Sequence, residues 1–351
     1  MSTMRAVVWA GPRQLRLAEV AQPRLVAPDD ALLRVRHAAT CGTDLHIYRG
    51  AVPDFEPGTV IGHEFVGEVA AAGPAVPHLR PGLRVRCSDF VACGQCGACR
   101  RGGYAQCLGR RLFGFSGLQP RLDGGMAEFV RVPWAGTALT PLPPDADARA
   151  GLLAADVLPT ALSALARLQL APWERLAVVG AGPVGTLTAF LARARGVTPL
   201  LLEASPARAA RARAVGLSVR EVAARMPLSD SAADLLGRFD AAVDAVGGEQ
   251  GLRSALALLR PGGRAAGVGV QAGPFAVDWG ALMQRQISLH FVIGDPIGQR
   301  AEIDAALPSC RPVLDAMFPD RLPLAAVPDY FAALERRERF KAVVEIAEEG
   351  Q

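Results

Sequence analysis

Hydrophobic runs divide the chain into two regions with different patterns. In the first third, apolar runs between glycine- and proline-rich turns predict β-strands, at residues 4–9, 31–35, 65–70 and 81–86. From about Pro159 onward, apolar strands alternate with helices that are rich in alanine, leucine and arginine. The chain is therefore expected to begin as a β-rich region and to continue as an α/β region.

The alternating region predicts a parallel sheet that is covered by helices on both faces. Its strands are predicted at residues 176–179, 198–202, 239–245, 264–267 and 287–293. Its helices are predicted at residues 183–194, 206–215 and 251–259. The C-terminal part returns to a mixed pattern, with a helix near residues 329–336 and a strand at 342–346.

The composition is that of an ordinary globular enzyme. The 351 residues are enough for two cores, and 50% hydrophobic with 21% charged residues is typical of globular proteins. The net charge of +4 comes without a basic run, which argues against nucleic acid as a partner. No apolar run approaches the roughly 20 residues of a membrane span, and the N-terminus lacks a secretory signal. We therefore expect a cytoplasmic protein that acts on a small molecule, with no membrane partner.

Residues 40–67 carry a dense group of chemically active side chains. A thiol (Cys41), a hydroxyl (Thr43), two imidazoles (His46 and His63) and a carboxylate (Glu64) lie beside glycines that allow tight turns. Cysteine and histidine suit zinc, which prefers sulfur and nitrogen donors in tetrahedral geometry. Two such donors do not hold a metal, so other parts of the chain have to complete the site.

Four of the seven cysteines crowd together in a second motif. The pattern C-x2-C-x2-C-x7-C is formed by Cys93, Cys96, Cys99 and Cys107. In a chain without an export signal, such crowding favours metal ligation over disulfides. Four thiolates close a tetrahedral shell and leave no position for a substrate, so a structural zinc is expected. An iron–sulfur cluster or unliganded thiols are the alternatives.

A dinucleotide-binding loop is predicted where the first strand of the α/β region meets its helix. Residues 176–185 read L-A-V-V-G-A-G-P-V-G, which is a strand followed by G-x-G-x-x-G. Gly180 makes the turn, Gly182 lets the backbone approach a pyrophosphate, and Gly185 allows the helix and strand to pack closely. The helix that begins with Pro183 and Val184 favours the phosphates through its dipole.

Glu203 ends the next strand and indicates which cofactor is bound. A carboxylate at this distance from the glycines accepts hydrogen bonds from the adenosine ribose and repels a 2′-phosphate, which favours NAD over NADP. Arg208 is close enough to contact the ribose, so a mixed preference stays open. The alternative for Glu203 is a solvated strand end.

The combination of Cys-x-x-Thr, Gly-His-Glu, the four-cysteine motif and a downstream G-x-G-x-x-G resembles the medium-chain, zinc-dependent alcohol dehydrogenase family. The resemblance covers essentially the whole chain and is closest to the formaldehyde dehydrogenase-like and threonine dehydrogenase-like branches. It implies that residues 1–157 and 295–351 form a β-rich, GroES-like catalytic domain with a structural zinc lobe at 93–107. Residues 158–294 would form an NAD-binding Rossmann domain, a doubly wound α/β fold.

The resemblance also implies the ligands of a catalytic zinc, namely Cys41, His63 and Asp156. Asp156 lies in A-D-V-L-P-T-A, which is similar to a stretch of the formaldehyde dehydrogenase-like branch in which aspartate is a ligand. Glu64 is implied to lie close to this zinc as a direct or transient ligand. The alternative for Asp156 is a cap on a helix that begins near Thr160.

In the implied mechanism, zinc makes an alcohol acidic enough to form a zinc alkoxide, which transfers a hydride to NAD. Thr43 accepts the alcohol proton and passes it, by way of the cofactor ribose, to His46. The alternative for His46 is a surface residue. Val184 and Thr160 would support the nicotinamide ring, and Lys341, the only lysine in the chain, would contact the pyrophosphate.

The expected function is therefore hydride transfer between NAD and an alcohol, or its aldehyde or ketone, by an enzyme with two zinc ions per chain. A threonine- or polyol-type dehydrogenase of the same family is the alternative substrate class. A non-catalytic zinc- and nucleotide-binding protein is the alternative of another class, and the presence of Cys41, Thr43, His63 and Asp156 argues against it. Pairing of residues 287–293 across a two-fold axis would give a homodimer or homotetramer.

Overall fold

The computed structural model describes residues 2–223, 228–270 and 274–346, and the chain separates into two compact units. Unit 1 contains Met1–Asp156 and Asp295–Gln351, and unit 2 contains Val157–Gly294. The first break falls one residue before the predicted domain boundary, and the second coincides with it. The predicted domains also include residues 1, 224–227, 271–273 and 347–351, which lie outside the described residues.

The N-terminal part of unit 1 is built mainly from strands. They are β1 (Thr3–Gly11), β2 (Gln14–Ala21), β3 (Ala31–Ala39), β4 (Glu64–Ala72), β5 (Arg84–Cys87), β6 (Phe90–Val91), β7 (Arg111–Leu112), β8 (Phe129–Val132) and β9 (Leu139–Pro141). The helices are α1 (Gly42–Tyr48), α2 (Gly97–Arg100), α3 (Ala135–Ala138) and α4 (Ala148–Ala155). The strand predicted at 81–86 begins only at Arg84, because Pro81 and Gly82 form a turn.

Unit 2 alternates strands and helices as its sequence pattern predicts. Its strands are β10 (Arg175–Val179), β11 (Thr198–Glu203), β12 (Val219–Glu221), β13 (Phe239–Asp244), β14 (Leu259–Gly267) and β15 (Ser288–Phe291). Its helices are α5 (Val157–Leu168), α6 (Pro183–Ala194), α7 (Pro206–Ala214), α8 (Leu228–Ser231), α9 (Gly248–Leu258) and α10 (Trp279–Gln284). The predicted start of α9 was three residues too late, and β15 is shorter than the predicted strand at 287–293.

The C-terminal segment belongs to unit 1 and completes its main sheet. Its elements are α11 (Arg300–Cys310), α12 (Leu314–Met317), β16 (Asp320–Pro323), α13 (Val327–Glu335) and β17 (Ala342–Glu345). The strand order of the sheet is β16-β17-β3-β4-β5-β9, and β8 also pairs with β3. Because β17 runs antiparallel to β3, with Val343 opposite Ala39, the residues just before β17 lie beside those just after β3.

The core of unit 1 lies against this sheet. Side chains that are fully buried include Leu33, Val35, Phe65 and Phe113. The rings of Phe65 and Phe113 meet edge to face, with centroids 5.0 Å apart. Burying a side chain of this size contributes about 1.5–3 kcal/mol, so these contacts fix the strands that carry the site described below.

The sheet of unit 2 is entirely parallel, with the strand order β12-β11-β10-β13-β14-β15. Numbered from β10, this is the order 3-2-1-4-5-6 of the Rossmann fold. The strand order reverses at β10, and ligands of such sheets bind at the carboxyl ends of the strands next to this switch point. The apolar strand β10 is buried along Leu176–Val179, and the helices α6 and α9 pack against it.

No single helix among the described residues is long and apolar enough to cross a membrane. The consecutive helices α4 and α5 meet the length and composition requirements only as a bent pair, and most of their side chains are buried.

Candidate active site

Three parts of unit 1 bring the predicted metal donors together. The strands β3 and β4 are antiparallel neighbours, and their register pairs the last residue of β3 with the first residue of β4. Cys41 lies just beyond the end of β3 and His63 just before the start of β4, so both lie at the same edge of the sheet. Asp156 directly follows α4, which packs against β4.

The four predicted donors of this site form one group, which we call the donor cluster: Cys41, His63, Glu64 and Asp156. Each offers one ligand atom within 4.8 Å of the other three. Asp156 Oδ2 lies 3.3 Å from Cys41 Sγ and 3.4 Å from His63 Nε2. Donors around a tetrahedral zinc are roughly 3.4–3.6 Å apart, given metal–ligand bonds of about 2.0–2.3 Å. The donor cluster therefore fits zinc in both chemistry and spacing.

Asp156 lies directly before a helix, in the position that its alternative role as a helix cap requires, but this helix begins earlier than Thr160. The helix α5 begins at Val157, directly after Asp156. One oxygen of the Asp156 carboxylate, Oδ2, lies close to the thiol of Cys41 and the imidazole of His63.

A buried carboxylate that the sequence analysis did not identify orients His63. Asp44 is fully buried in α1, and its Oδ1 lies 3.2 Å from His63 Nδ1. If the ring proton is assigned to Nδ1, the bond to Asp44 leaves the lone pair of Nε2 facing the donor cluster. Carboxylates bonded in this way to zinc-binding histidines fix the tautomer and the orientation of the ring. Asp44 therefore prepares His63 to bind a metal through Nε2.

The acidic donors disfavour one another's charged forms, whereas His63 favours the charged forms of these acids. Burial, together with the carboxylates of Asp156 and Glu64, raises the pKa of the Cys41 thiol to about 12. Burial also raises the pKa of Glu64 to about 7, although Lys341 opposes the shift. Burial opposes ionisation of Asp156 too, but its hydrogen bond to His63 and the charge of His63 hold the pKa of Asp156 well below its usual range. A divalent cation would favour the charged forms of Cys41, Glu64 and Asp156. Acidic groups that need a cation to ionise together are typical of a metal site.

Lys341 contacts the donor cluster, and its predicted contact with a pyrophosphate needs correction. The side chain is 2% exposed, and Nζ pairs with Glu64 Oε2 and donates to the Thr40 carbonyl oxygen at 3.0 Å. The Phe318 ring lies against the ammonium, with its centroid 5.6 Å away. A buried and paired ammonium presents no exposed charge to a phosphate. The pairing of β17 with β3 places Lys341, the residue just before β17, in the interior of unit 1.

Thr43 and His46 both lie on α1, directly after Cys41. Residues three positions apart face the same side of a helix, and both side chains are half-buried. Burial, with a smaller effect from Arg49, lowers the pKa of His46 below its ordinary value of 6.5. Near pH 7 the imidazole is therefore neutral and able to accept a proton.

The four clustered cysteines form a second set of donors, which we call the cysteine lobe (residues 93–107). Their sulfur atoms all lie within 4.8 Å of one another, with Cys96–Cys99 at 3.5 Å and Cys93–Cys107 at 3.6 Å. Sulfurs around a tetrahedral zinc are roughly 3.8 Å apart, given bonds of about 2.3 Å. A backbone hydrogen bond from Cys99 is the main cause that lowers the pKa of Cys96 to about 6. Free thiols at this spacing fit a four-thiolate metal site.

The predicted cofactor loop joins β10 to α6 in unit 2, and geometry requires glycine at two of its positions, Gly180 and Gly185. Gly180 has a φ of +97°, in the left-handed region that favours glycine. A Cβ on Gly185 would lie 2.0 Å from the carbonyl oxygen of Gly180, so no other residue fits there. A Cβ on Gly182 would meet no atom within 4 Å, which leaves this backbone open to a ligand. The loop therefore has the shape of a phosphate cradle at a helix N-terminus.

Glu203 ends β11 and is bonded to this loop. Its carboxylate accepts hydrogen bonds from Ala181 N and Ser205 N, both at 2.7 Å, and the residue is 7% exposed. The alternative of a solvated strand end is therefore wrong. Each carboxylate oxygen retains a second acceptor position for a ribose hydroxyl.

The remaining predicted cofactor residues also lie in unit 2. Arg208 is half-buried on α7, where its backbone N–H donates to the capping Ser205 Oγ at 3.4 Å. Pro183 and Val184 form the first turn of α6. Thr160 is buried on α5.

Two further carboxylates were not identified from the sequence. Asp89, just before β6, has a buried Oδ1 with no hydrogen bond within the described residues, and burial and the charge of Asp156 raise its pKa well above the ordinary value. Asp244 ends β13, where its Oδ1 accepts hydrogen bonds from Val246 N and Gly247 N at 3.0 Å. Neither residue lies in a recognisable motif, so only the fold identifies them.

Comparison with known proteins agrees with this geometry. Residues 27–144 match the alcohol dehydrogenase GroES-like domain, and residues 183–310 match the zinc-binding dehydrogenase family. The medium chain reductase/dehydrogenase ucsI of Acremonium sp is 35% identical over 291 residues, which cover 79% of this chain and 98% of that protein. The glutathione-independent formaldehyde dehydrogenase of Pseudomonas aeruginosa is 31% identical over 329 residues, which cover 84% of this chain and 82% of that protein.

A solved structure is similar over nearly the whole length. The alcohol dehydrogenase TADH from Thermus sp. ATN1 superposes with a TM-score of 0.85 at 34% identity, covering 98% of this chain and 100% of that chain. The names of these relatives differ in substrate but share the class of reaction. The β-rich unit, the Rossmann unit and the matched families together place this chain in the medium-chain, zinc-dependent alcohol dehydrogenase family of oxidoreductases.

Proposed function

We propose that this chain transfers a hydride between NAD and an alcohol, or the corresponding aldehyde or ketone, at the donor cluster. The observation that carries the proposal is a compact group of buried and half-buried thiol, imidazole and carboxylate donors at the spacing of zinc ligands. Membership of the family supports the class of reaction.

The residues Cys41, His63 and Asp156 would hold the catalytic zinc, and Glu64 would be an exchangeable fourth donor. Zinc bound there would act as a Lewis acid that lowers the pKa of a substrate hydroxyl. Catalytic zinc sites commonly have three protein ligands and one position for the substrate. The Asp44–His63 hydrogen bond supports this assignment because it directs Nε2 to the metal.

Thr43 and His46 would carry the proton that an alcohol loses. The Thr43 hydroxyl can accept a hydrogen bond from the substrate hydroxyl and donate its own proton onward. His46, whose lowered pKa keeps the ring neutral near pH 7, would receive the proton and exchange it with solvent.

The loop of Gly180, Gly182 and Gly185 would bind the cofactor pyrophosphate, and Glu203 would accept hydrogen bonds from the adenosine ribose. Bound NAD would supply the hydride acceptor. The buried carboxylate of Glu203 disfavours a 2′-phosphate, so NAD is preferred over NADP, while Arg208 moderates the preference. Thr160 and Val184 would support the nicotinamide ring.

The cysteine lobe would hold a second, structural zinc, which brings the total to two zinc ions per chain. Thiolate ligands survive in a reducing compartment, so we place the protein in the cytoplasm. The exposed edge of β15 would make the chain a homodimer or homotetramer.

Metal analysis combined with a substrate panel tests the proposal. The panel contains primary, secondary, polyol and amino alcohols and formaldehyde, each with NAD and NADP. We expect two zinc ions per chain, NAD reduction with at least one alcohol class, and loss of one zinc and of turnover in Cys41→Ala. One zinc per wild-type chain with no turnover across the panel would point to a non-catalytic binding protein.

A further inference from the structure

Glu64 is the donor of the cluster that forms an ion pair with Lys341, a side chain outside the donor cluster. Its side chain is fully buried, and Oε2 forms an ion pair with Lys341. Its second oxygen, Oε1, is buried and has no hydrogen-bond partner within the described residues. An unsatisfied buried carboxylate oxygen is costly, and a metal ion is one of the few partners that would satisfy it. Glu64 is thus held between Lys341 and the metal position.

Lys341 is itself fixed from several sides. Nζ donates to the Thr40 carbonyl, Thr40 Oγ1 accepts from Ala342 N at 2.9 Å, and Phe318 lies against the ammonium. The other basic residues of the chain are arginines. A compact ammonium offers a single point charge, whereas a guanidinium presents a wide fork of donors. The only lysine of the chain is therefore placed rigidly against one oxygen of Glu64.

We propose that Lys341 is a positioning residue that holds Glu64 back from permanent metal ligation, which keeps one ligand position open for the substrate oxygen. The inference rests on the proposed metal site. If Glu64 lost Lys341, its buried negative charge would lose the side chain that pairs with it, and a bound metal would be the strongest remaining counter-charge. Glu64 would then close a four-ligand shell of the kind found in structural zinc sites, which do not admit a substrate.

Cobalt(II)-substituted full-length protein tests this without alcohol or NAD. Imidazole serves as a neutral probe of the open position, because it changes the visible absorption of cobalt when it binds. The closed cysteine lobe should not respond, and Cys41→Ala gives the spectrum of the lobe alone.

We expect Lys341→Met to need at least about tenfold more imidazole for the same spectral change, and to release metal to a chelator more slowly. Lys341→Arg, which keeps the charge, should respond within a few-fold of wild type. The double variant Glu64→Gln/Lys341→Met should recover the wild-type response, because the blocking carboxylate is gone. If Lys341→Met does not fold, Lys341→Gln carries the same expectations.

Two results would overturn the proposal. One is an unchanged imidazole titration in the folded Lys341→Met or Lys341→Gln protein, since Lys341 would then be merely structural. The other is a double variant that stays as unresponsive as the single variant, since Glu64 would then not be the blocking group. An enzyme that binds cobalt and imidazole normally but oxidises no alcohol would contradict the proposed function alone.

Discussion

Individual buried charges determine what the donor cluster can do. The Cys41 thiol and the Asp156 carboxylate lie within hydrogen-bond distance of each other in the interior of unit 1. Burial raises the pKa of the thiol, so the donors become ligands only when a cation offsets their charges. Residues that orient these donors should therefore affect metal affinity more than they affect the fold.

Asp44 is such a residue. Asp44→Asn removes the charge that holds His63 Nδ1, and outer carboxylates of this kind contribute about 10–100-fold in metal affinity. We expect a loss of that size in chelator competition for the catalytic zinc. Asp54→Asn is a matched control, because Asp54 is exposed in unit 1 and has a left-handed φ that asparagine tolerates. Unchanged affinity in Asp44→Asn would contradict the assigned role.

His46 has a different proposed role, as the acceptor of the proton that the alcohol loses. Its pKa is lowered by burial and by Arg49, so the neutral, proton-accepting ring persists as the pH falls below its ordinary pKa of 6.5. His46→Gln should reduce kcat by about tenfold or more below roughly pH 7 and less at alkaline pH, where hydroxide can take the proton. A pH–rate profile checks this, with the exposed His78→Gln as the control. Identical profiles for His46→Gln and wild type would refute the relay.

At the scale of elements, the ends of strands place the chemistry in both units. In unit 1, the register of β3 and β4 brings Cys41 and His63 to one edge of the sheet. In unit 2, the parallel strands β10 and β11 place the glycine loop and Glu203 side by side at their carboxyl ends. Residues that are far apart in the sequence therefore come into contact when they follow adjacent parallel strands, because the carboxyl ends of those strands lie at the same edge of the sheet.

The end of β11 gives a prediction about cofactor choice. Glu203→Gln keeps an acceptor for one of the two backbone N–H groups and removes the charge that disfavours a 2′-phosphate. We expect the ratio of kcat/KM for NADP over NAD to rise by about tenfold or more. Glu221→Gln is the matched control, since Glu221 lies opposite Glu203 at the exposed end of β12. If the ratio stayed at the wild-type value, the assignment of Glu203 to the cofactor site would be contradicted.

At the scale of the whole molecule, the sheet of unit 2 ends at β15. Exposed apolar side chains lie on β15 and on the segments that flank it along the chain, including Trp279 (76%), Met283 (65%), Phe291 (71%) and Ile293 (60%). An exposed apolar edge strand is a liability in a monomer, and pairing with a second copy removes it. The proposed assembly of identical chains would cover this edge.

A single charge should weaken that assembly. Phe291→Arg places a cation on the edge strand, and we expect the dissociation constant of the oligomer to rise by at least about tenfold. Sedimentation or light scattering over a range of concentrations measures this. Trp173→Arg is the control, because Trp173 is also exposed but lies in the loop before β10. If the mass of Phe291→Arg in solution equalled that of the wild type at every concentration, this edge would be excluded as the interface.

The sequence alone determined the parts of the site whose chemistry is local. The spacing of the cysteines at 93–107 and the glycines at 180–185 is set by the ion and the phosphate that they would surround, and both patterns are continuous along the chain. The alternating helices and strands of unit 2 were likewise readable, because burial on both faces makes the strands uniformly apolar. Asp156 could be chosen only through a resemblance, since no local rule marks it.

The tertiary structure decided the contacts between distant segments. Lys341 lies 277 residues from Glu64, and only the pairing of β17 with β3 brings their side chains together. Without that pairing, the sequence prediction assigned the lysine to a phosphate. Asp44 and Asp89 are ordinary acids in the sequence and acquire their importance from burial beside other ionisable groups. Electrostatic interactions act through space, whereas motifs are local along the chain, and this difference separates what the sequence determined from what the fold decided.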